Sequence, residues 1–270
     1  MRTFFPDADP RGLAVFLNAG DPPLDILADV VRMLDDHGVG CLELAVPFPD
    51  SVTDGPVIRR SADRALASGI GIDDVLAFVT DIHDELRTLR IALFADWSYT
   101  VRPLGIDRFV SMVADSGSHG VLMHGVPPRC RGSFYQLADS AGLPVVTTCY
   151  AGSPPDTLRD AATHASAYVY LVAHYGKSGT SGAPEAAGLH APIAALRAGT
   201  DAPIAVGFGV RTRADVERVH ALGADAAIVG SAVVASVESS IAAGADVVDE
   251  LARLVADLQP TPKHLTGVNP

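Results

Sequence analysis

Two carboxylates stand where they could carry out acid–base chemistry. Glu43 interrupts the apolar run 42–46, and Asp54 lies shortly downstream, directly before Gly55 and Pro56. Burying a carboxylate in a strand costs on the order of several kcal/mol unless the group is paired, protonated or facing a cavity. Two carboxylates converging on one cavity are typical of acid–base catalysis. Each residue also has a structural interpretation, Glu43 as a buried ion-pair partner and Asp54 as a turn residue.

Glycines further along the chain predict a phosphate site. The segment 207–209 reads Gly-Phe-Gly after the seventh predicted strand, and Gly230 with Ser231 follows the eighth. Barrel enzymes that bind phosphate commonly do so after these two strands, where glycine lets backbone N–H groups approach the anion. A third glycine-rich stretch, 176–182, follows the sixth predicted strand and is predicted to be a mobile lid. Within it, Lys177 is either a ligand of the anion or an ordinary solvated lysine.

The elements that position these residues follow from hydrophobic periodicity. Short apolar runs alternate with longer amphipathic ones, and strands that are apolar throughout predict a parallel sheet covered on both faces. Eight such strands, each followed by a helical segment, predict an α/β fold, a single-domain (β/α)₈ TIM barrel. A doubly wound sheet is the alternative, because strand count alone does not close a barrel. The predicted strands are 13–17, 40–46, 90–95, 120–123, 143–149, 167–172, 202–206 and 224–229.

The helices and their ends are predicted from the same pattern. Glycines at 38, 117, 142 and 223 stand where left-handed C-caps are expected. No linker divides the chain, so we predict a short N-terminal extension over 1–12, the barrel over 13–258 and a flexible tail over 259–270. The predicted helices cover 23–37, 56–67, 72–86, 106–116 and 213–222, and a last one ends at about residue 258.

Composition excludes several classes of partner. The 270 residues are 48% hydrophobic and 19% charged, and the net charge of −12 argues against nucleic acid or an acidic membrane surface. No signal peptide and no apolar run of ~18 residues is visible, which favours a cytoplasmic protein. The cysteines, an odd number without paired spacing, are predicted to be reduced core thiols, and the histidines lack metal-ligand spacing.

Several motifs together resemble one enzyme family. Over about 14–254, the chain is similar to the α chain of tryptophan synthase, the indole-3-glycerol-phosphate lyase family. The segment 42–55 resembles the family signature, 16–22 resembles its first strand and turn, and 207–209 and 230–232 resemble its phosphate loops in type and order. The resemblance implies a lyase that cleaves indole-3-glycerol phosphate to indole and glyceraldehyde 3-phosphate. This chemistry requires no metal and no organic cofactor.

The resemblance also implies a role for individual residues. Glu43 matches the main acid–base and Asp54 the second catalytic carboxylate, while Tyr170 lines the cleavage site and Phe16 forms a wall of the indole pocket. A desolvated Glu43 with a raised pKa would protonate the ring carbon that bears the side chain, and would then accept the hydroxyl proton. Asp54 would stabilise the cation on the ring nitrogen. The positions implied to hold the phosphate are Gly179, Gly209, Gly230 and Ser231.

The chain departs from the family pattern at positions that shape the substrate pocket. Asp96 and His124 replace the residues usual after the third and fourth strands, and we place both in the indole pocket. Ser51 stands where the signature has proline. The N-terminal helix that closes the barrel floor in the family is much shortened. These departures favour either an altered substrate or a weaker coupling to the tryptophan synthase β chain.

Four functions therefore stay open. The first is an active lyase that works alone or with a β chain, and the second is a specialised-metabolism aldolase that acts on a modified substrate. The third is a catalytically weak subunit that activates a β-type partner. The fourth is a different phosphate-binding barrel enzyme, such as a decarboxylase or isomerase. The last usually places a lysine or a second aspartate in the barrel strands, and no predicted strand here contains lysine. Retention of both Glu43 and Asp54 favours the lyase.

Overall fold

A computed structural model describes residues 4–5, 12–173, 188–207 and 209–259. The predicted lid at 176–182, with Lys177 and Gly179, lies outside these residues, as does nearly all of the predicted tail. No helix in the described part of the chain is long and apolar enough to cross a membrane. The three cysteines are free thiols, with Cys41 and Cys149 buried.

Eight parallel strands form the barrel. Their order in the sheet is β4-β3-β2-β1-β8-β7-β6-β5, and an isolated parallel bridge between Val121 and Val145 joins its two ends. Because β1 pairs with both β2 and β8 and the outer strands meet at this bridge, the sheet forms a nearly closed barrel, and the doubly wound alternative is wrong. The strands are β1 (Gly12–Asn18), β2 (Cys41–Ala45), β3 (Arg90–Asp96), β4 (Gly120–His124), β5 (Val146–Tyr150), β6 (Tyr168–Val172), β7 (Ile204–Gly207) and β8 (Ala226–Val229).

The helices surround this sheet. A 3₁₀ turn (His83–Glu85) follows α3, so the helix predicted over 72–86 ends earlier, at Ile82. A π-helical turn (Trp97–Val101) follows β3. The described α-helices are α1 (Leu24–Asp36), α2 (Pro56–Ala67), α3 (Ile72–Ile82), α4 (Arg102–Leu104), α5 (Ile106–Asp115), α6 (Pro128–Ser140), α7 (Pro155–His164), α8 (His190–Arg197), α9 (Arg213–Ala221), α10 (Ser231–Ala243) and α11 (Val247–Leu258).

The single C-terminal helix predicted from the sequence is two helices. Gly244 adopts a left-handed conformation with φ of 62° and ends α10. Asp246 then caps α11, because its side chain accepts hydrogen bonds from the backbone N–H groups of Val248 and Asp249. A glycine C-cap followed by an aspartate N-cap is a helix break that the apolar periodicity does not reveal.

The predicted glycine C-caps are confirmed. Gly38, Gly117, Gly142 and Gly223 all have positive φ, between 65° and 89°. At Gly117 the requirement is steric as well, since an added Cβ would lie 2.5 Å from the ring of His83. These four glycines end helices cleanly, so that each following strand can enter the barrel.

The barrel interior is filled mainly by small side chains around one tyrosine. Tyr168 is fully buried, and the rings of Phe4 and Phe5 pack against it with centroid distances of 5.5 Å each. Phe4 and Phe5 were assigned to the N-terminal extension, and in the structure they lie buried at the barrel floor. The small interior residues around them are Ala14, Cys41, Ala92, Ala205 and Ala226.

Candidate active site

Glu43 points into the barrel from the middle of β2. Its side chain is 1% exposed, and its Oε1 accepts a 2.6 Å hydrogen bond from the hydroxyl of Tyr168. Burial raises the pKa of Glu43 to about 7, because water no longer solvates the carboxylate, while the Tyr168 hydrogen bond opposes that rise. Glu43 is therefore able both to donate and to accept a proton near neutral pH.

Tyr168 is a residue of the site to which the sequence analysis gave no role. Its hydroxyl also lies 3.9 Å from the Sγ of Cys41. Burial is the main cause that holds the pKa of Tyr168 well above its usual value, so the phenol stays protonated and donates to Glu43. The alternation of side chains along β6 could have indicated this role, because side chains two residues apart in a strand share a face. Tyr170, two residues after Tyr168, was already a predicted site residue.

Asp54 is oriented by a residue of its own loop. The Ser51 hydroxyl donates a 2.7 Å hydrogen bond to Oδ2 of Asp54, and the Asp54 backbone N–H donates back to Ser51 Oγ at 3.3 Å. Burial raises the pKa of Asp54, whereas the Ser51 hydrogen bond and the charges of His124 and Arg59 lower it. The serine that departs from the family signature thus fixes the second carboxylate in place.

One cavity brings most of the predicted site residues together. It occupies about 90 Å³ at the carboxyl ends of the strands. Catalytic carboxylates and predicted phosphate-binding positions share its wall, as expected for a barrel active site. The predicted site residues that line it are Phe16, Glu43, Asp54, Tyr170, Gly209, Gly230 and Ser231. The lining is completed by residues that the sequence did not indicate, which are Ile58, Phe94, Val210 and Ile228.

Tyr170 lies beside both carboxylates. Burial is the first cause that raises its pKa well above the usual value, and the charges of Glu43 and Asp54 add to the effect. Its ring packs on Gly207, where an added Cβ would lie 2.7 Å from the phenol oxygen. Glycine at this position therefore lets Tyr170 reach the cavity wall.

The predicted phosphate end is built on the amino terminus of α10. Gly230 immediately precedes this 13-residue helix, Ser231 is its first residue, and no side chain within the described residues caps it. Across the cavity, Gly209 has a φ of 78° and an added Cβ there would meet nothing within 4 Å. N–H groups at an uncapped helix start attract anions through the helix dipole.

Asp96 and His124 lie outside this cavity. Asp96 accepts hydrogen bonds from the backbone N–H groups of Ser98 at 2.7 Å and Tyr99 at 3.0 Å, so it caps the π-helical turn. His124, its neighbour across the β3–β4 pair, stacks on Phe94 with a centroid distance of 5.6 Å. Phe94 therefore stands between His124 and the cavity that Glu43 lines. No group of three metal-ligating side chains occurs among the described residues.

Comparisons with known proteins agree with this geometry. A family model described as tryptophan synthase alpha chain matches residues 7–262. The alpha chain of Gloeobacter violaceus is 37% identical over 81% of this chain and 78% of its own, and that of Burkholderia ambifaria is 33% identical over 87% and 86%.

Solved structures show the same likeness. Tryptophan synthase subunit alpha from Legionella pneumophila superposes with a TM-score of 0.81 at 26% identity, over 92% of this chain and 91% of that one. A mutant alpha-subunit from Pyrococcus furiosus also gives 0.81, at 27% identity over 92% and 97%. Fold, site geometry and relatives agree, and the chain belongs to the tryptophan synthase alpha chain family.

Proposed function

We propose that this chain cleaves indole-3-glycerol phosphate, or a close relative, into an indole and glyceraldehyde 3-phosphate, with Glu43 as the acid–base. The reaction class comes with the family, so the protein is an aldolase-type carbon–carbon lyase. One observation supports the assignment to Glu43 above all others. Its carboxyl group is buried, has a pKa raised to about 7 and lines the same cavity as Asp54 and the amino terminus of α10.

The first chemical step is protonation of the ring. Protonated Glu43 gives its proton to the indole carbon that bears the glycerol phosphate side chain, which turns the ring into an electron sink. Positive charge then develops on the ring nitrogen, where the Asp54 carboxylate stabilises it. Burial raises the pKa of Asp54, and the Ser51 hydrogen bond and the nearby charges of His124 and Arg59 oppose that rise in favour of the ionised form.

The second step breaks the carbon–carbon bond. Glu43, now ionised, accepts the proton of the side-chain hydroxyl as the C–O bond becomes a carbonyl. The electrons of the breaking bond return to the ring and neutralise the ring nitrogen, which leaves indole and an aldehyde. N–H groups around Gly209, Gly230 and Ser231 hold the phosphate during both steps, so that the reacting carbon stays beside Glu43.

Replacement of the acid tests the proposal. Glu43→Gln keeps the shape of the side chain and removes the transferable proton, so aldehyde release should fall by about 10²–10⁴-fold. Glu217→Gln, an exposed change on α9, is the matched control and should keep wild-type turnover. A folded Glu43→Gln variant that releases aldehyde at a near-normal rate would show that another group moves the proton.

We further propose that the chain acts with a tryptophan synthase β-type partner, as the name "subunit alpha" of the Legionella relative suggests. Release of glyceraldehyde 3-phosphate is measured with the purified chain alone and again with a β chain added. We expect turnover by the chain alone and faster turnover in the mixture. Stimulation of the β chain without aldehyde release would instead identify a catalytically weak activating subunit.

A further inference from the structure

A second and larger cavity begins at His124, whose ring stacks on Phe94 of the catalytic cavity. The second cavity occupies about 370 Å³ between the carboxyl ends of β4 and β5 and the helices α6 and α7, which contribute Phe134, Tyr135 and Thr157 to its lining. These strands are joined only by the bridge between Val121 and Val145, near their amino ends. Beyond that bridge the two strands lack the ladder that joins the other neighbouring pairs. The cavity opens into the resulting gap, with His124 on one side and Thr148 and Tyr150 on the other.

Thr148 faces the interior of the barrel. Val146, two residues earlier, belongs to the interior cluster, and the intervening Thr147 hydroxyl bonds outward to the Ala161 carbonyl of α7. Strand alternation therefore turns Thr148 inward. Thr148 is nevertheless exposed, unlike its buried neighbours in β5, because the barrel is open at this point.

Two polar side chains in this cavity have unused hydrogen-bonding capacity. Within the described residues, neither the His124 imidazole nor the Thr148 hydroxyl makes a hydrogen bond, although His124 contributes charge at Asp54. An apolar ring placed against them would remove water from both groups and return no hydrogen bond, which is unfavourable for each group. These side chains therefore favour a ligand that carries polar atoms.

Two pairs of neighbouring residues link the two cavities. Phe94 lines the catalytic cavity and carries the stacked His124 ring on its other side, and Tyr170 lines the same cavity while pairing in register with Thr148. At about 90 Å³, the catalytic cavity is smaller than the ~150 Å³ engineered cavity that holds benzene. A bicyclic ring attached to a glycerol phosphate needs more room, and the larger cavity begins at His124, on the other face of Phe94.

We propose that His124, Thr148 and Tyr150 form a polar ring pocket that takes the six-membered part of the substrate's ring and hydrogen-bonds a hydroxyl or amino group on it. The inference rests on the proposed lyase function and narrows its substrate to indole-3-glycerol phosphates with such a group. Pockets built to hydrogen-bond a substrate group discriminate strongly against analogues that lack it. The polar ring pocket thus selects the substrate, while Glu43 and Asp54 carry out the cleavage.

The test compares substrates as ratios of kcat/KM. Indole-3-glycerol phosphate is assayed beside analogues with a hydroxyl or an amino group at each free position of the six-membered ring. We expect at least one substituted analogue to be preferred by about tenfold or more, which corresponds to ~1.4 kcal/mol and is within reach of one hydrogen bond. Preference for the unsubstituted substrate over every analogue would overturn the inference.

Variants assign the preference to the pocket. Thr148→Val and His124→Leu should each reduce the ratio toward one, while Thr148→Ser, which keeps the hydroxyl, should retain it. Thr163→Val, an exposed change on α7, is the matched control. An unchanged ratio in both Thr148→Val and His124→Leu would also overturn the inference.

Failure of this inference is distinguishable from failure of the proposed function. Normal cleavage without a substituent preference removes only the polar ring pocket, whereas no aldehyde from any substrate removes the lyase assignment and this inference with it. Calorimetric binding of indole and of hydroxyindoles adds a readout that does not depend on turnover. Tighter binding of a hydroxyindole by wild type, lost in Thr148→Val, supports the pocket; equal binding of all of them contradicts it.

Discussion

At the scale of a single residue, two opposing effects set the pKa of Glu43. Desolvation inside the barrel favours the neutral acid, and the Tyr168 hydroxyl favours the anion by donating to it. Desolvation is the larger effect, and the resulting pKa of about 7 suits a group that must give and then regain a proton. The strand position of Glu43 made its burial predictable, whereas the hydrogen bond depends on a contact between residues 125 apart in sequence.

The raised pKa makes a prediction about stability. The pKa of Glu43 rises from 4.5 to about 7 on folding, so the folded state binds more protons between these values and stability falls as pH rises through them. At 1.36 kcal/mol per unit, the loss between pH 4 and pH 8 is about 3 kcal/mol. Glu43→Gln should be more stable than wild type by about that amount at pH 8 and similar to it at pH 4. Urea unfolding at both pH values measures the difference, and an equal effect at both would contradict the raised pKa.

Tyr168 makes a separate prediction about pH dependence. Because its hydrogen bond lowers the pKa of Glu43, Tyr168→Phe should raise that pKa. The reaction needs Glu43 protonated, so activity that declines as pH rises through this pKa should persist to higher pH in the variant. The pH profile of kcat/KM checks the shift, with Tyr99→Phe, at a half-exposed tyrosine, as the control. A profile that keeps its midpoint would mean that Tyr168 only fills space.

At the scale of elements, periodicity predicted every strand and the first residues of β3 and β4, but it began several other strands too early. β5 begins at Val146 rather than at 143, and β7 at Ile204 rather than at 202. The apolar residues just before a strand are already buried, although they do not yet pair with a neighbouring strand. The apolar run in the sequence therefore begins earlier than the hydrogen-bond ladder. The helix break at Gly244 was missed for a related reason, since both α10 and α11 present apolar residues to the same core.

Asp35 at the end of α1 makes a prediction at this scale. It is 6% exposed, and its Oδ1 accepts hydrogen bonds from the backbone N–H groups of Leu89 at 2.7 Å and Thr88 at 2.8 Å. These bonds fix the segment that leads into β3, the strand that carries Phe94. Asp35→Ala leaves buried N–H groups unpaired and should reduce the free energy of unfolding by about 3 kcal/mol.

The control for Asp35 lies next to it. Asp36 has a side chain that is 66% exposed, and Asp36→Ala should change stability by less than about 0.5 kcal/mol. The same hydrogen bonds lower the pKa of Asp35 despite its burial, so its contribution is complete above the usual aspartate pKa of 3.8 and is lost as pH falls below it. Equal denaturant midpoints for the two variants at pH 7 would show that Asp35 does not anchor β3.

At the scale of the whole molecule, the site depends on the barrel floor. Phe4 and Phe5 cover Tyr168 from below, and Tyr168 contacts Glu43, so buried contacts run from the chain's amino end to the catalytic carboxyl. The predicted boundary at residue 12 separated this segment from the barrel, because two phenylalanines in a polar stretch show no periodicity. Their role depends on the closed shape of the sheet, which exists only after all eight strands have paired.

This dependence makes the last prediction. The ring of Phe5 packs so closely that an added Cβ on Gly12 or Gly40 would lie within 2.9 Å of it. Phe5→Ala should therefore open the floor, reduce the free energy of unfolding by about 3–5 kcal/mol and admit water toward Tyr168. Since desolvation is what raises the pKa of Glu43, hydration should lower it, and the pH profile of kcat/KM should move to lower pH.

The control is Phe78→Ala, in the outer layer on α3. It removes a similarly buried ring and should cost comparable stability without moving the pH profile. If both variants lose stability and neither profile moves, the floor supports the fold alone and the protonation of Glu43 is controlled from the cavity side.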